Sequence, residues 1–150
     1  VAIEPSVPFT AKETVSCEDS TTTSPIVTGR ISTINAELDG GSNVIDHNTQ
    51  FAIQRVGFDC RITKVTIVAG GGIVGSCVIN IYRSSFSEWD TQLTTIVAAS
   101  KPEIVVGIKY EDSLLLNWQR DLPAGSILLF DPESLSNFKY LLISLDVTRT

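Results

Sequence analysis

The chain has 150 residues, 43% of them hydrophobic, with 11 Lys and Arg against 17 Asp and Glu and only 3 Cys. That is the size of one ordinary domain, long enough to bury a core without a metal or a disulfide framework. The net charge of −6 argues against a basic face that releases counterions from phosphates, so nucleic acid is not an expected partner; nor is a membrane, since no apolar run approaches the about 20 residues that span a bilayer as a helix.

Residues 1–30 differ from the rest. Pro5, Pro8 and Pro25 interrupt a stretch of Ser, Thr and acidic residues that includes Ser20-Thr21-Thr22-Thr23-Ser24. Such a segment cannot bury enough apolar surface to build a core. It reads as an extended N-terminal arm, either a disordered tail or a strap that orders on a partner. The side chains a strap would use are Ile3, Pro5, Val7, Phe9, Val15, Ile26 and Val27.

The folded domain is expected over 31–150, where short β-branched runs alternate with turn residues. Strands are predicted at Ile31 to Leu38, Phe51 to Val56, Ile62 to Ala69, Cys77 to Tyr82, Leu114 to Trp118, Ile127 to Phe130 and Tyr140 to Val147. A period of two separates Ile62, Lys64, Thr66 and Val68 from Thr63, Val65, Ile67 and Ala69, as in a half-buried strand. Asp39-Gly40-Gly41-Ser42, Gly70-Gly71-Gly72 and Pro123-Ala124-Gly125-Ser126 supply the backbone freedom or the fixed φ that reversals need. Ser84 to Leu93, with Phe86, Trp89 and Leu93 at helical spacing, is predicted as a long loop with one short helical turn. Seven or eight strands predict an all-β, antiparallel two-sheet β-sandwich, jelly-roll-like, with the arm attached.

Catalytic chemistry is not legible. His47 is the single histidine, with no Cys or His at ligand spacing, so a zinc site is not expected and a loop position is. Glu37, Asp39 and Asp46 surround the first turn; they are oxygen ligands for Ca²⁺ in one reading and turn formers in the favoured one. Gly70 to Gly75 resembles a phosphate-cradling loop, but a strand rather than a helix follows, so a hairpin is predicted. No Ser lies in a G-x-S-x-G or S-x-x-K context. No catalytic residue, metal or cofactor is therefore assigned, and the chain is read as a non-enzyme.

Cys17, Cys60 and Cys77 fit no zinc or redox spacing and are expected as reduced thiols. A Cys60–Cys77 bridge is the alternative if their strands are neighbours, and Cys17 is left for a link between chains. Trp118 is expected in the core, whereas Phe86 and Trp89, in a Ser-rich loop, are candidate carbohydrate-binding rings.

From Ile34 onward the order of short motifs is similar to a β-sandwich module of tailed-bacteriophage virion proteins. The motifs are Asp39-Gly40-Gly41-Ser42, then Phe58-Asp59-Cys60-Arg61-Ile62, then Gly75-Ser76-Cys77-Val78-Ile79-Asn80-Ile81-Tyr82-Arg83. Ser100-Lys101-Pro102, Asp112-Ser113-Leu114 with Trp118, Leu122-Pro123-Ala124-Gly125-Ser126 and Ser134-Leu135-Ser136-Asn137-Phe138 follow. Asn80, Tyr82 and Ser126 stand where that family more often has Asp, Trp and Asp. The resemblance implies a non-enzymatic virion component and brings no catalytic residues with it.

Two functions follow from that resemblance together with the arm. One is a capsid decoration or cement protein, expected as a homotrimer on the head exterior, whose arm straps the major capsid protein. The alternative is a tail or baseplate appendage whose sandwich binds host surface polysaccharide. A secreted glycosidase is disfavoured, since no pair of carboxylates stands out as placed across a cleft.

Overall fold

The computed structural model describes residues 29–71 and 73–150. Among them are ten strands and no helix: β1 (Ile31–Asp39), β2 (Ala52–Arg55), β3 (Cys60–Gly70), β4 (Gly75–Ser84), β5 (Thr94–Thr95), β6 (Glu103–Gly107), β7 (Lys109–Asp112), β8 (Asp121–Leu122), β9 (Ile127–Ser136) and β10 (Tyr140–Arg149). The first sheet runs β1-β10-β3-β7 with β8 also on β3, and the second runs β2-β9-β4-β5 with β6 also on β4. All pairings are antiparallel. The chain therefore changes sheet after β1, β2, β3, β6, β8 and β9, which is the winding of a jelly roll. The arm candidates Ile3, Pro5, Val7, Phe9, Val15, Ile26 and Val27, and Cys17 with them, lie outside the described residues. From Gly29 the chain is tied down, because Gly29 N–H donates to the Arg149 carbonyl at 2.8 Å.

The interior is where the period of two becomes packing. Leu141, Ile143, Leu145 and Val147 of β10 and Val65, Ile67 and Ala69 of β3 face Cys77, Ile79 and Ile81 of β4 and Leu128 and Phe130 of β9, all buried. In β3 the alternation changes phase: Cys60 and Ile62 point inward, and so do Val65, Ile67 and Ala69. The pairing skips Thr63 at this point, since Asp146 opposes Lys64 and Val147 opposes Ile62. A bulge of one extra residue flips the inward set, so Ile62 does not share a face with Lys64, Thr66 and Val68 as its spacing had suggested.

Four other expectations are corrected. Leu114 to Trp118 is a pair of turns, with φ of 50° at Leu115 and 64° at Asn117, and the Asp112 carboxylate accepts the Leu114 and Leu115 amides. Only Leu115 and Trp118 of this apolar run go inward, a spacing of three that no strand produces. The glycine-rich segment after Gly70 is not a hairpin: β3 and β4 lie in different sheets, so it crosses between them. Strand β9 continues six residues past Phe130, through Pro132, to Ser136. The pairing shifts register between Val78 and Ile79 opposite that proline, which accommodates a residue with no amide hydrogen to donate. The segments Glu103–Gly107 and Lys109–Asp112 are strands the sequence reading did not assign.

The two described cysteines are free and buried. Cys60 stands on β3 of the first sheet, paired with Arg149 at the end tied to Gly29, and Cys77 on β4 of the second sheet, two residues from Gly75 at the opposite end where β3 crosses to β4, so most of the length of β3 separates them, far beyond the Cα separation a disulfide tolerates. Gly75 opens β4 because nothing larger fits: an added Cβ would lie 2.2 Å from the Ser136 carbonyl oxygen and 2.9 Å from the Phe138 ring.

Trp118 belongs to the core, 8% exposed, and its indole N–H donates to the Ser100 carbonyl at 2.9 Å. Trp118→Ala is expected to lower unfolding stability by about 3–5 kcal/mol through the cavity left behind, read from urea denaturation. A loss below about 1 kcal/mol would remove Trp118 from the set of residues that hold the core.

Candidate functional site

The acidic cluster at the first turn is occupied with its own backbone. Asp39 Oδ1 accepts the Gly41 amide at 2.7 Å and Asp46 Oδ1 accepts the Asn48 amide at 3.0 Å, the Asx geometry of turn-forming carboxylates. Glu37 is exposed on β1, and His47 is half-buried in the loop before β2. Among the described residues no three His, Cys, Asp or Glu gather as a metal site, and no helix is long and apolar enough to cross a membrane.

The loop between β4 and β5 is built from consecutive turns. Ser85 Oγ accepts the Glu88 amide, the Glu88 carbonyl accepts the Thr91 and Gln92 amides, and Asp90 adopts a positive φ of 69°. These turns fold the loop back over the outer face of the second sheet and separate its two aromatics. Phe86 is 84% exposed. Trp89 is half-buried and lines a groove of about 410 Å³ together with Asp90 and Leu93 of the loop, Leu129 and Asp131 of β9, and Phe51 and Ile53 at β2. Phe86 is not among the groove residues, so the sequence pair Phe86 and Trp89 does not form one site. Phe51, Ile53, Leu129 and Asp131 were not legible as groove-lining residues, because only the pairing of β2 with β9 brings them beside the loop.

Next to the groove, a polar network crosses the same face. Lys101 Nζ donates to both carboxylate oxygens of Glu133, at 2.8 and 3.0 Å, and Asn80 Nδ2 donates to Glu133 Oε2 at 2.9 Å. Thr95 Oγ1 completes it by donating to Asn80 Oδ1 at 2.7 Å. The Lys101 hydrogen bond, helped by Asn80 and by the lysine charge and opposed by some burial, holds the Glu133 carboxyl below the ordinary glutamate range. Asp131, directly opposite Asn80 in the pairing, goes the other way. Burial pushes its carboxyl up, the Glu133 charge adds to that, and His47 opposes it. The buried thiols of Cys60 and Cys77 are also raised, Cys77 to about 11 by burial, so both are poor nucleophiles near neutral pH.

A second surface lies at the end of the sandwich where β3 crosses to β4. Ile73 and Val74 of the crossover and Val105, Val106 and Ile108 around the β6–β7 turn are each at least half exposed, Val106 by 79%. They meet because Gly107 pairs with Gly75, the Ala69 amide donates to the Ile108 carbonyl, and Asn137 donates to the Val74 carbonyl. The end of β10 that ties down Gly29 is at the opposite pole, beside Cys60.

No protein-family model matches the chain, and a search of curated proteins finds no match either. The two surfaces are therefore judged on their own chemistry. Neither brings together a nucleophile and a base within reach of one another, whereas both offer apolar area to a partner.

The Glu133 network has a pH signature with a fixed sign. A carboxyl whose folded pKa is depressed adds stability that is present above its unfolded pKa and lost as pH falls through the folded one. Wild type is expected to exceed Glu133→Gln in stability at neutral pH, with the gap closing as pH drops below the ordinary glutamate range. Urea midpoints measured from pH 7 down to pH 3 check it, and a gap that widens on acidification would contradict the assignment.

Proposed function

We propose that the chain is a non-enzymatic structural subunit of a tailed-bacteriophage virion. It decorates the head exterior as a homotrimer and straps the major capsid protein with residues 1–30. The observation that carries this reading is the apolar end formed by Ile73, Val74, Val105, Val106 and Ile108. Exposed aliphatic side chains gathered at one place mark a surface that is covered when the protein does its work. The motif order from Ile34 onward supports the virion setting. A jelly roll adds only analogy, since that fold serves capsids and lectins alike.

The arrangement suits a subunit held from two sides. The arm leaves from the pole at Gly29, and the apolar end occupies the other pole. Contacts among copies at one pole leave the arms at the other free to reach neighbouring capsid subunits. An arm that orders on binding trades entropy for wide contact area, and three arms on one trimer multiply the effect through effective concentration.

Light scattering on the free protein and cosedimentation with undecorated, tail-less heads test the proposal. The full chain is expected to scatter as a trimer and to bind heads saturably, while a chain lacking residues 1–30 stays folded and no longer attaches. Val106→Lys, placed on an exposed residue, is expected to change stability by less than about 0.5 kcal/mol and to lower the oligomeric state. Binding to tails rather than heads would transfer the protein to the tail; head attachment undiminished by the truncation would discard the strap.

A further inference from the structure

We propose that the groove at Trp89, on the outer face of the second sheet, is a binding site for a neutral polysaccharide. The groove holds about 410 Å³, within the about 300–1,000 Å³ typical of small-ligand sites, and joins two kinds of surface that sugars need together. Trp89 and Phe51 present aromatic area, with Ile53 and Leu129 as aliphatic floor, to the C–H faces of a pyranose ring. Asp90 and Asp131 stand beside them as acceptors for hydroxyl hydrogens.

The charge pattern selects the class of sugar. The groove residues include two carboxylates and no Lys or Arg, in a chain of net charge −6. Uronic or sialic acid polymers are repelled from such a place, and neutral hexose polymers are not. A cationic peptide is the competing occupant, drawn by the same carboxylates. Lys101 stands against it, one step along the face, where its ammonium pairs with Glu133, two residues along β9 from Asp131.

The loop geometry holds the groove open. Successive hydrogen bonds from Ser85, Glu88 and Thr91 set the loop, and the positive φ at Asp90 turns the chain between Trp89 and Leu93. Trp89 is thus presented by a shaped segment rather than by a loose tip, which lowers the ordering cost of binding. The groove is independent of where on a particle the chain sits, so loss of head attachment would leave this site standing, and the reverse.

Affinity electrophoresis of the full chain through gels containing a glucan, a galactomannan or an N-acetylhexosamine polymer tests the site, with polygalacturonate as the acidic control and polylysine as the cationic one. At least one neutral polymer is expected to retard the chain, and polygalacturonate is not. Trp89→Ala is expected to weaken retardation by about tenfold, whereas Trp118→Phe, which keeps the groove, retains it. In the Trp118→Phe protein the fluorescence of Trp89 is expected to shift saturably with the same polymer. The proposal is overturned if no neutral polymer retards the chain, if Trp89→Ala is retarded as strongly as wild type, or if polylysine alone binds.

Discussion

The structure depends on one dry layer of aliphatic side chains held between β10 and β3 on one side and β4 and β9 on the other. These four long strands carry the most extensive pairing in each sheet, and the inward members of all four are almost entirely closed to water. Burying such side chains is worth about 1.5–3 kcal/mol each before conformational entropy is set against it. No other feature of the described residues offers a comparable driving force. The ion pairs Arg61–Asp121 and Lys64–Glu111 lie on the surface, where such pairs contribute little.

That layer also decides where function can be. In a jelly roll every crossing between sheets happens at one pole or the other, so the loops and their freely chosen side chains gather at two ends and along two outer faces. The sheet interior accepts only residues that pack, and its exceptions are instructive. Gly75 is held by a carbonyl and a Phe138 ring with no room for a Cβ, and Ser126 sits buried with its hydroxyl donating to the Pro123 carbonyl at 2.6 Å. Both serve chain reversal at a pole. The outer face of the second sheet has no such constraint, yet it carries Asn80, itself buried, in a network reaching from β5 to Lys101. Buried polar side chains are costly unless fully satisfied, and here both ends of the amide are.

The all-β character, the two-sheet class and six of the ten strands were legible from period-two alternation and turn chemistry, because both are local. One limit of reading was local, and the others lay in pairings between distant strands. Leu114-Leu115-Leu116 looks like a buried strand from hydrophobicity alone, and only the pair of left-handed residues reveals two turns. The Thr63 bulge is invisible in the sequence of β3, since it is defined by what opposes it on β10. The triple glycine was legible as a reversal but not as a change of sheet, a distinction made by pairing partners far away in sequence. For the same reason Trp89 was recognisable as a candidate ring while Phe51 and Asp131, its companions from distant strands, were not.

The two tryptophans show how the fold assigns opposite roles to one residue type. Both are drawn out of water by their large apolar area, and both carry an indole N–H that must find a partner when buried. Trp118 has that partner in the Ser100 carbonyl and an aliphatic shell around it, so its position is complete within the chain. Trp89 is only half covered, and the groove it lines contains carboxylates that a core never tolerates unpaired. A ring left half wet beside hydrogen-bond acceptors, on a loop shaped by its own turns, is incomplete as packing and complete as a surface for a ligand with one apolar and one polar side.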